Sequence, residues 1–118
     1  PAVIPMDINK LQQAFLNFIK NAMESITNGG KITITVSREG KKHVLVSIAD
    51  TGCGMTPEEI EKVFSPEYTT KEKGLGLGIP LATEIVRGHG GDVRVISRPG
   101  EGTTFEIVLP VEKISDKT

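Results

Sequence analysis

The stretch that decides the fold is KHVLVSIADTGCG, residues 42–54. Val44, Val46 and Ile48 occupy alternate positions in it, a pattern that predicts a β-strand with one buried face. Asp50 continues the same parity, so the strand would carry a carboxylate toward the apolar side. Because an ionised carboxylate is unfavourable there without hydrogen-bond donors, Asp50 either caps the turn with its own backbone or forms the floor of a polar pocket.

The two glycines after this strand favour the pocket. Gly52 and Gly54 bracket a turn in which the backbone passes close to another group or adopts a positive φ. An acid at a strand end, followed by two glycines, suits recognition of the exocyclic amine of a nucleotide base.

The neighbouring segments predict two antiparallel hairpins. Residues 31–37 alternate in the same way as residues 42–50, and the short turn at Glu39 and Gly40 joins them into a hairpin with one buried face. Residues 93–96 and 103–109 form the second hairpin, turned through residues 99–102.

Helices are predicted before the first hairpin and between the two hairpins. Residues 7–26 carry an apolar stripe at helical spacing behind a capping Asp7, and residues 56–64 and 77–87 form two further helices. Residues 65–73 show neither period and predict a loop. This order predicts an α+β two-layer sandwich, with helices on one face of a mixed, mainly antiparallel sheet.

Composition narrows the class of protein. The chain has 118 residues, of which 37% are hydrophobic, so we expect one globular domain. The 14 basic and 15 acidic residues give a net charge of -1, which argues against nucleic acid or an anionic membrane as a partner. The single cysteine excludes an internal disulfide and fits a reducing compartment.

Two further groups of residues are candidates for binding an anion or a cation. Gly74, Gly76 and Gly78 alternate just before a predicted helix, where they form either a flexible connector or an anion site built from backbone amides. Asn17 and Asn21 lie one helical turn apart, and are either solvated polar residues or oxygen ligands for a hydrated divalent cation.

Taken together, five motifs resemble those of sensor histidine kinases. They are the asparagine box at residues 11–22, the first glycine box at 50–55, the phenylalanine box and start of the ATP lid at 64–71, the second glycine box at 74–78 and the third at 100–105. They occur in the family's order and cover nearly the whole chain. Leu75 and Glu67 depart from the family, which often has Thr or Ser and an aromatic residue at these positions.

The resemblance implies a Bergerat-type fold that binds Mg-ATP. Asp50 is expected to accept from the adenine amine with help from Thr103, and Asn21 to hold Mg²⁺ against the phosphates with Asn17 nearby. The other positions that the resemblance assigns to nucleotide binding are Gly52, Gly54, Thr70, Lys71, Gly74, Gly76, Leu77 and Gly78.

Asn17 also indicates the reaction class. ATPases of the wider superfamily carry a Glu there as the general base for water, and a neutral amide cannot take that proton near pH 7. The resemblance then implies phosphoryl transfer, with Asn17 and Asn21 as catalytic residues, to a histidine on a separate dimerisation domain. Neither His43 nor His89 fits the acceptor pattern.

Residues 1–118 are therefore expected to be the catalytic domain alone, monomeric in isolation, without its dimerisation and phosphoacceptor domain. A response regulator is expected downstream, and the location is expected to be cytoplasmic, even for a membrane-anchored parent. The alternatives are an anti-sigma-factor-type serine kinase and a nucleotide-binding module without transfer activity. The chain starts close to the asparagine box, which leaves little room for a preceding strand and indicates an excised or engineered fragment.

Overall fold

A computed structural model describes residues 2–3, 7–26, 29–65, 78–110 and 112–113. The elements in chain order are β1 (Ala2–Val3), α1 (Ile8–Ser25), β2 (Ile32–Glu39), β3 (His43–Asp50), α2 (Pro57–Lys62), α3 (Gly78–Gly88), β4 (Asp92–Ser97), β5 (Thr103–Pro110) and β6 (Glu112–Lys113). The predicted helices and hairpins are therefore all present, with bounds that differ by one or two residues.

The main sheet has the strand order β2-β3-β5-β4, and every described ladder in it is antiparallel. Both predicted hairpins are confirmed, and the two hairpins join through β3 and β5. The register places Asp50 opposite Thr103 and Thr103 opposite Ser97, so one row of residues crosses three strands at the same end of the sheet.

The longest helix, α1, begins at a side-chain cap and buries one apolar stripe. The Asp7 Oδ1 atom accepts from the Lys10 backbone N–H at 3.2 Å, which satisfies one of the free donors of the first turn. Phe18 is fully buried and its ring centroid lies 5.2 Å from that of Phe105 on β5. Burial of such a side chain contributes about 1.5–3 kcal/mol, so this pair fixes α1 on the sheet.

The helices cover only one face of the sheet, as the predicted two-layer sandwich requires. The helix α1 packs on β3, α3 packs on β4, and the two helices pack against each other. The core between the layers includes Ile48, Phe105 and Ile107, all of which are at most 1% exposed. The opposite face carries an ion-pair network in which Arg94 contacts Glu39 and Glu106.

The prediction of a buried face along the whole first hairpin is wrong for β2. Ile34 and Val36 point to the helical side of the sheet but are 51% and 65% exposed. Among the described residues β2 pairs only with β3, and α1 packs on β3 rather than on β2. The edge strand therefore extends beyond the cover of the helices.

The expectation of little room for a strand before α1 is also wrong. Ala2–Val3 forms β1, which pairs antiparallel with Glu112–Lys113 of β6 in a separate two-stranded ribbon. Most of the predicted loop at residues 65–73 lies outside the described residues. In the described part of the chain, no helix has both the length and the apolar character needed to cross a membrane.

Candidate functional site

Asp50 ends β3 on the helical face of the sheet and is only 6% exposed. Its Oδ1 atom accepts from the Gly52 N–H at 2.8 Å and from the Thr103 N–H at 3.3 Å. Its Oδ2 atom accepts no hydrogen bond from any described residue. The Asp50 side chain is mostly buried, so this oxygen is largely shielded from water and is suited to a ligand that brings a donor.

The turn after Asp50 is fixed on both sides. The Cys53 N–H donates to the Ser25 carbonyl at the end of α1 at 3.1 Å, and the Cys53 carbonyl accepts from Gly100 at 2.7 Å. Gly52 packs directly against Ser25. Gly54 has a φ of 73°, and a Cβ there would overlap the carbonyl oxygen of Arg98, so only glycine fits.

Thr103 lies beside Asp50 on β5 and is 5% exposed. Its Oγ1 atom is 2.8 Å from the Oγ atom of Ser97, the last residue of β4. Ser97 is not among the site residues predicted from the sequence. Its inward orientation could have been predicted from the sequence, because Ser97 continues the alternation of Val93 and Val95 in the way that Asp50 continues the alternation on its own strand.

Asn17 and Asn21 are both half-buried on α1 and flank the buried Phe18 and Ala22. Neither side-chain amide has a hydrogen-bond partner among the residues that the structure describes. Their amide oxygens are therefore available to a ligand.

The start of α3 lies level with these two asparagines, because α1 and α3 are antiparallel. The His89 Nε2 atom accepts from the Asp7 N–H at 2.9 Å, and its Nδ1 atom donates to the Ile85 carbonyl at 2.8 Å, so the end of α3 meets the start of α1. Helices rise about 1.5 Å per residue, which places Gly78 about level with Phe18. The free N–H groups and positive dipole end of α3 favour an anion there.

Several predicted site residues cannot be placed in this geometry. Gly78 is the only residue of the second glycine box in the described part of the chain, where it is the first residue of α3. The predicted site residues outside the described part of the chain are Thr70, Lys71, Gly74, Gly76 and Leu77. Leu75 and Glu67 also lie outside it.

The described cavity of about 500 Å³ lies elsewhere, between the start of α1 and the end of α3. Asp7, Lys10, Leu81 and His89 are among its lining residues, and it is at the opposite end of the helix pair from Ser25. The candidate site around Asp50 is therefore identified by the chemistry of its residues and not by this cavity.

The Asp50 carboxylate, the side-chain amides of two asparagines and the N-terminus of α3 thus lie at the same end of the molecule. The sequence matches the family of histidine kinase-, DNA gyrase B- and HSP90-like ATPases over residues 6–113. The chain belongs to this family. The resemblance seen in the sequence and the predicted fold class are both confirmed.

Relatives of this ATPase domain are sensor kinases. It is 41% identical over 109 residues to sporulation kinase E of Bacillus subtilis, covering 92% of this chain and 15% of that protein. It is 39% identical over 115 residues to the signal transduction histidine-protein kinase AtoS of Escherichia coli, covering 98% of this chain and 19% of that protein. The domain thus spans less than a fifth of either relative.

Solved structures of the same fold are also histidine kinase domains. The mycobacterial sensor histidine kinase MprB superposes with a TM-score of 0.83 at 30% identity, covering 97% of this chain and 78% of that one. The catalytic domain of histidine kinase ThkA superposes with a TM-score of 0.78 at 32% identity, covering 91% of this chain and 70% of that one. This chain is therefore a histidine kinase-type ATPase domain of the kind found in sensor kinases.

Proposed function

We propose that this domain binds Mg-ATP and donates the γ-phosphoryl group to a histidine on a separate dimerisation and phosphoacceptor domain. The observation that carries the proposal is the buried Asp50, whose Oδ2 atom has no donor among the described residues. A purine amine supplies that donor, and the phosphates supply an anion for the start of α3. The names of two relatives, a sporulation kinase and a signal transduction histidine-protein kinase, support the same assignment.

The proposed roles follow from position. Asp50 accepts from the adenine amine with Thr103 beside it, while Gly52 and Gly54 let the backbone approach the base. Asn21, assisted by Asn17, holds Mg²⁺ through an amide oxygen, a ligand type that this cation prefers, and bound Mg²⁺ neutralises charge on the phosphates. By the family resemblance, Gly78 and the second-motif residues Gly74, Gly76 and Leu77 bind phosphate, with Thr70 and Lys71.

The proposed reaction is transfer rather than hydrolysis. Asn17 stands where a general base for water would be needed, and a neutral amide does not accept that proton. The lone pair of an imidazole nitrogen instead attacks the γ-phosphorus while the bond to the bridging oxygen breaks, and ADP leaves with that electron pair. Within the chain, His89 is unsuited as the nucleophile because both of its ring nitrogens are already hydrogen-bonded.

The acceptor histidine is therefore proposed to belong to another domain of the same kinase, with a response regulator downstream. Residues 1–118 form the catalytic domain in this proposal, monomeric when isolated and working in the cytoplasm, where ATP is available. Neither nucleic acid nor membrane is a proposed partner, in line with a net charge of -1.

The test mixes the chain with a histidine-bearing dimerisation domain and ATP labelled at the γ-phosphate. We expect acid-labile label on the dimerisation domain, none on the chain alone, and none when the acceptor histidine is replaced by Gln. Acid-stable label on a serine would instead indicate the anti-sigma-type kinase. Binding of ATP without any transfer would leave only a nucleotide-binding module, and rapid phosphate release by the chain alone would identify an ATPase.

A further inference from the structure

Ser97 joins three parts of the site through one hydroxyl group. Its Oγ atom lies 2.8 Å from the Met55 backbone nitrogen, 2.9 Å from the Gly102 carbonyl oxygen and 2.8 Å from the Thr103 Oγ1 atom. Met55 is the last residue of the first glycine box, and Gly102 and Thr103 belong to the third. The side chain is half-buried at the end of β4, so these contacts are partly shielded from water.

The chemistry of these partners fixes the direction of each hydrogen bond. A serine hydroxyl has one hydrogen to donate and two lone pairs that accept. The Met55 N–H can only donate and the Gly102 carbonyl can only accept, so Ser97 accepts from the first and donates to the second. The remaining contact then requires the Thr103 hydroxyl to donate to Ser97.

Thr103 is thereby left as an acceptor toward any further partner. Its hydrogen is already used, so only its oxygen lone pairs can take part in another bond. Asp50 faces Thr103 across the β3–β5 ladder and offers a second acceptor, the Oδ2 atom. Two adjacent acceptors suit a group that donates two hydrogens.

We propose that Ser97 is a positioning residue that sets the base preference of the site by holding Thr103 as an acceptor. This inference rests on the proposed function, in which Asp50 and Thr103 face the base. A 6-amino purine donates to both acceptors, whereas a 6-oxo purine presents a carbonyl oxygen to them. Ser97 touches neither base nor phosphate and acts through Thr103.

Removal of the Ser97 hydroxyl releases the Thr103 hydrogen. Thr103 can then rotate and donate to a 6-carbonyl group, so the variant tolerates inosine nucleotides better. We expect Ser97→Ala to narrow the ratio of ATP to ITP affinity by about fivefold to tenfold. Inosine is the sharper probe than guanine because it lacks the additional 2-amino group.

The experiment measures the dissociation constants of ATP and ITP by calorimetry, with Mg²⁺, for the wild-type chain and its variants. The readout is the affinity ratio within each protein, which a general loss of stability leaves unchanged. Ser97→Thr retains a hydroxyl and should keep the wild-type ratio. Ser47→Ala, a half-buried serine on the opposite face of β3, is the matched control and should also keep it.

Two further variants guard against a folding failure. Ser97→Cys fills the space with a weak hydrogen-bonding group and should shift the ratio in the same direction. In a Thr103→Val background, Ser97→Ala should no longer change the ratio. This inference is overturned, while the proposed function stands, if the wild type binds ATP but does not prefer it to ITP, or if Ser97→Ala and Ser97→Cys keep the wild-type ratio. A wild type that binds neither nucleotide overturns the proposed function.

Discussion

At the scale of single residues, the two oxygens of Asp50 have different tasks. Oδ1 holds the turn through Gly52 and Thr103, while Oδ2 is the oxygen we assign to the base. In Asp50→Asn the amide oxygen can take over the first task, which places an NH₂ donor where the base also donates. We expect a folded variant with ATP affinity lowered by about tenfold or more, since mismatched buried groups cost about 1–3 kcal/mol.

Calorimetric titration with ATP, together with a thermal melt, checks this expectation. Glu106→Gln removes a carboxylate on the opposite face of the same sheet and should leave the ATP affinity unchanged. Wild-type affinity in Asp50→Asn would contradict the assignment of Asp50 to the base.

Asn21 provides a separate test of the cation. If its amide oxygen binds Mg²⁺, Asn21→Ala should weaken ATP binding far more with Mg²⁺ than without it, because only the bound cation feels the loss. Titrations with Mg²⁺ and with a chelator give the two affinities. Asn9→Ala is the matched control, since Asn9 is exposed near the other end of α1. Equal losses under both conditions would mean that Asn21 supports the pocket and not the metal.

At the scale of elements, the turn between β4 and β5 is interlocked with the end of β3. Gly102 has a φ of 85°, and a Cβ there would overlap the Asp50 carbonyl oxygen. Gly100 has a φ of 79°, yet a Cβ there would meet no heavy atom within 4 Å. A substitution at Gly100 therefore introduces only backbone strain, whereas one at Gly102 introduces backbone strain and a steric clash.

We expect Gly100→Ala to destabilise the fold by about 1–2 kcal/mol, the cost of a left-handed backbone for a residue with a Cβ. Gly102→Ala should lose about 2–5 kcal/mol because overpacking adds to that strain. It should also weaken ATP binding, since Asp50 must move. Urea unfolding and ATP titration of both variants check this; similar losses of stability and affinity in the two would show that the close approach to Asp50 is unimportant.

The junction of α3 and β4 gives a prediction for pH. The pKa of Asp92 is below its ordinary value of 3.8, first because the Arg87 side chain donates a hydrogen bond to it and second because the Val93 N–H does. Since both charged side chains are more than half exposed, we expect Asp92→Asn to destabilise the fold by at most about 1 kcal/mol near neutral pH.

A lowered pKa makes this contribution complete above the unfolded-state pKa and removes it as the pH falls through the folded-state value. The wild type and Asp92→Asn should therefore converge in unfolding free energy once the pH falls below the lowered folded-state pKa of Asp92. Urea titrations over the acid range measure this difference. Glu61→Gln, on the exposed side of α2, is the control and should follow the wild type, while a gap that persists in acid would exclude the ion pair as its cause.

The elements also show how far the sequence predicts this molecule. Alternation along residues 42–50 predicts the burial of Asp50 because strand parity is a local property. The same alternation fails at Ile34 and Val36, because parity does not tell which strand lies at the edge beyond the helices. Ser97 shows the converse: its parity is visible in the sequence, but its three partners come together only through the register of β4 and β5.

At the scale of the whole molecule, the antiparallel pairing of α1 and α3 gives the domain two different ends. His89 joins the helices at one end through Asp7 and Ile85. The other end collects Asn21, the start of α3 and the Asp50–Thr103 pair. The sequence motifs are widely separated along the chain, and this pairing of helices over the sheet is what places them at one end.

The strand order has a kinetic consequence. Asp50 and Thr103 are 53 residues apart in sequence, although they are neighbours on the two central strands of the sheet. Each hairpin closes a short loop, but joining β3 to β5 closes a long one and loses more chain entropy before any contact compensates for it. We expect stopped-flow refolding to restore ATP binding in the same slow phase as the burial of the core. A nascent chain then stays unable to bind nucleotide until β5 has been synthesised, even if α1 and the first hairpin have already formed.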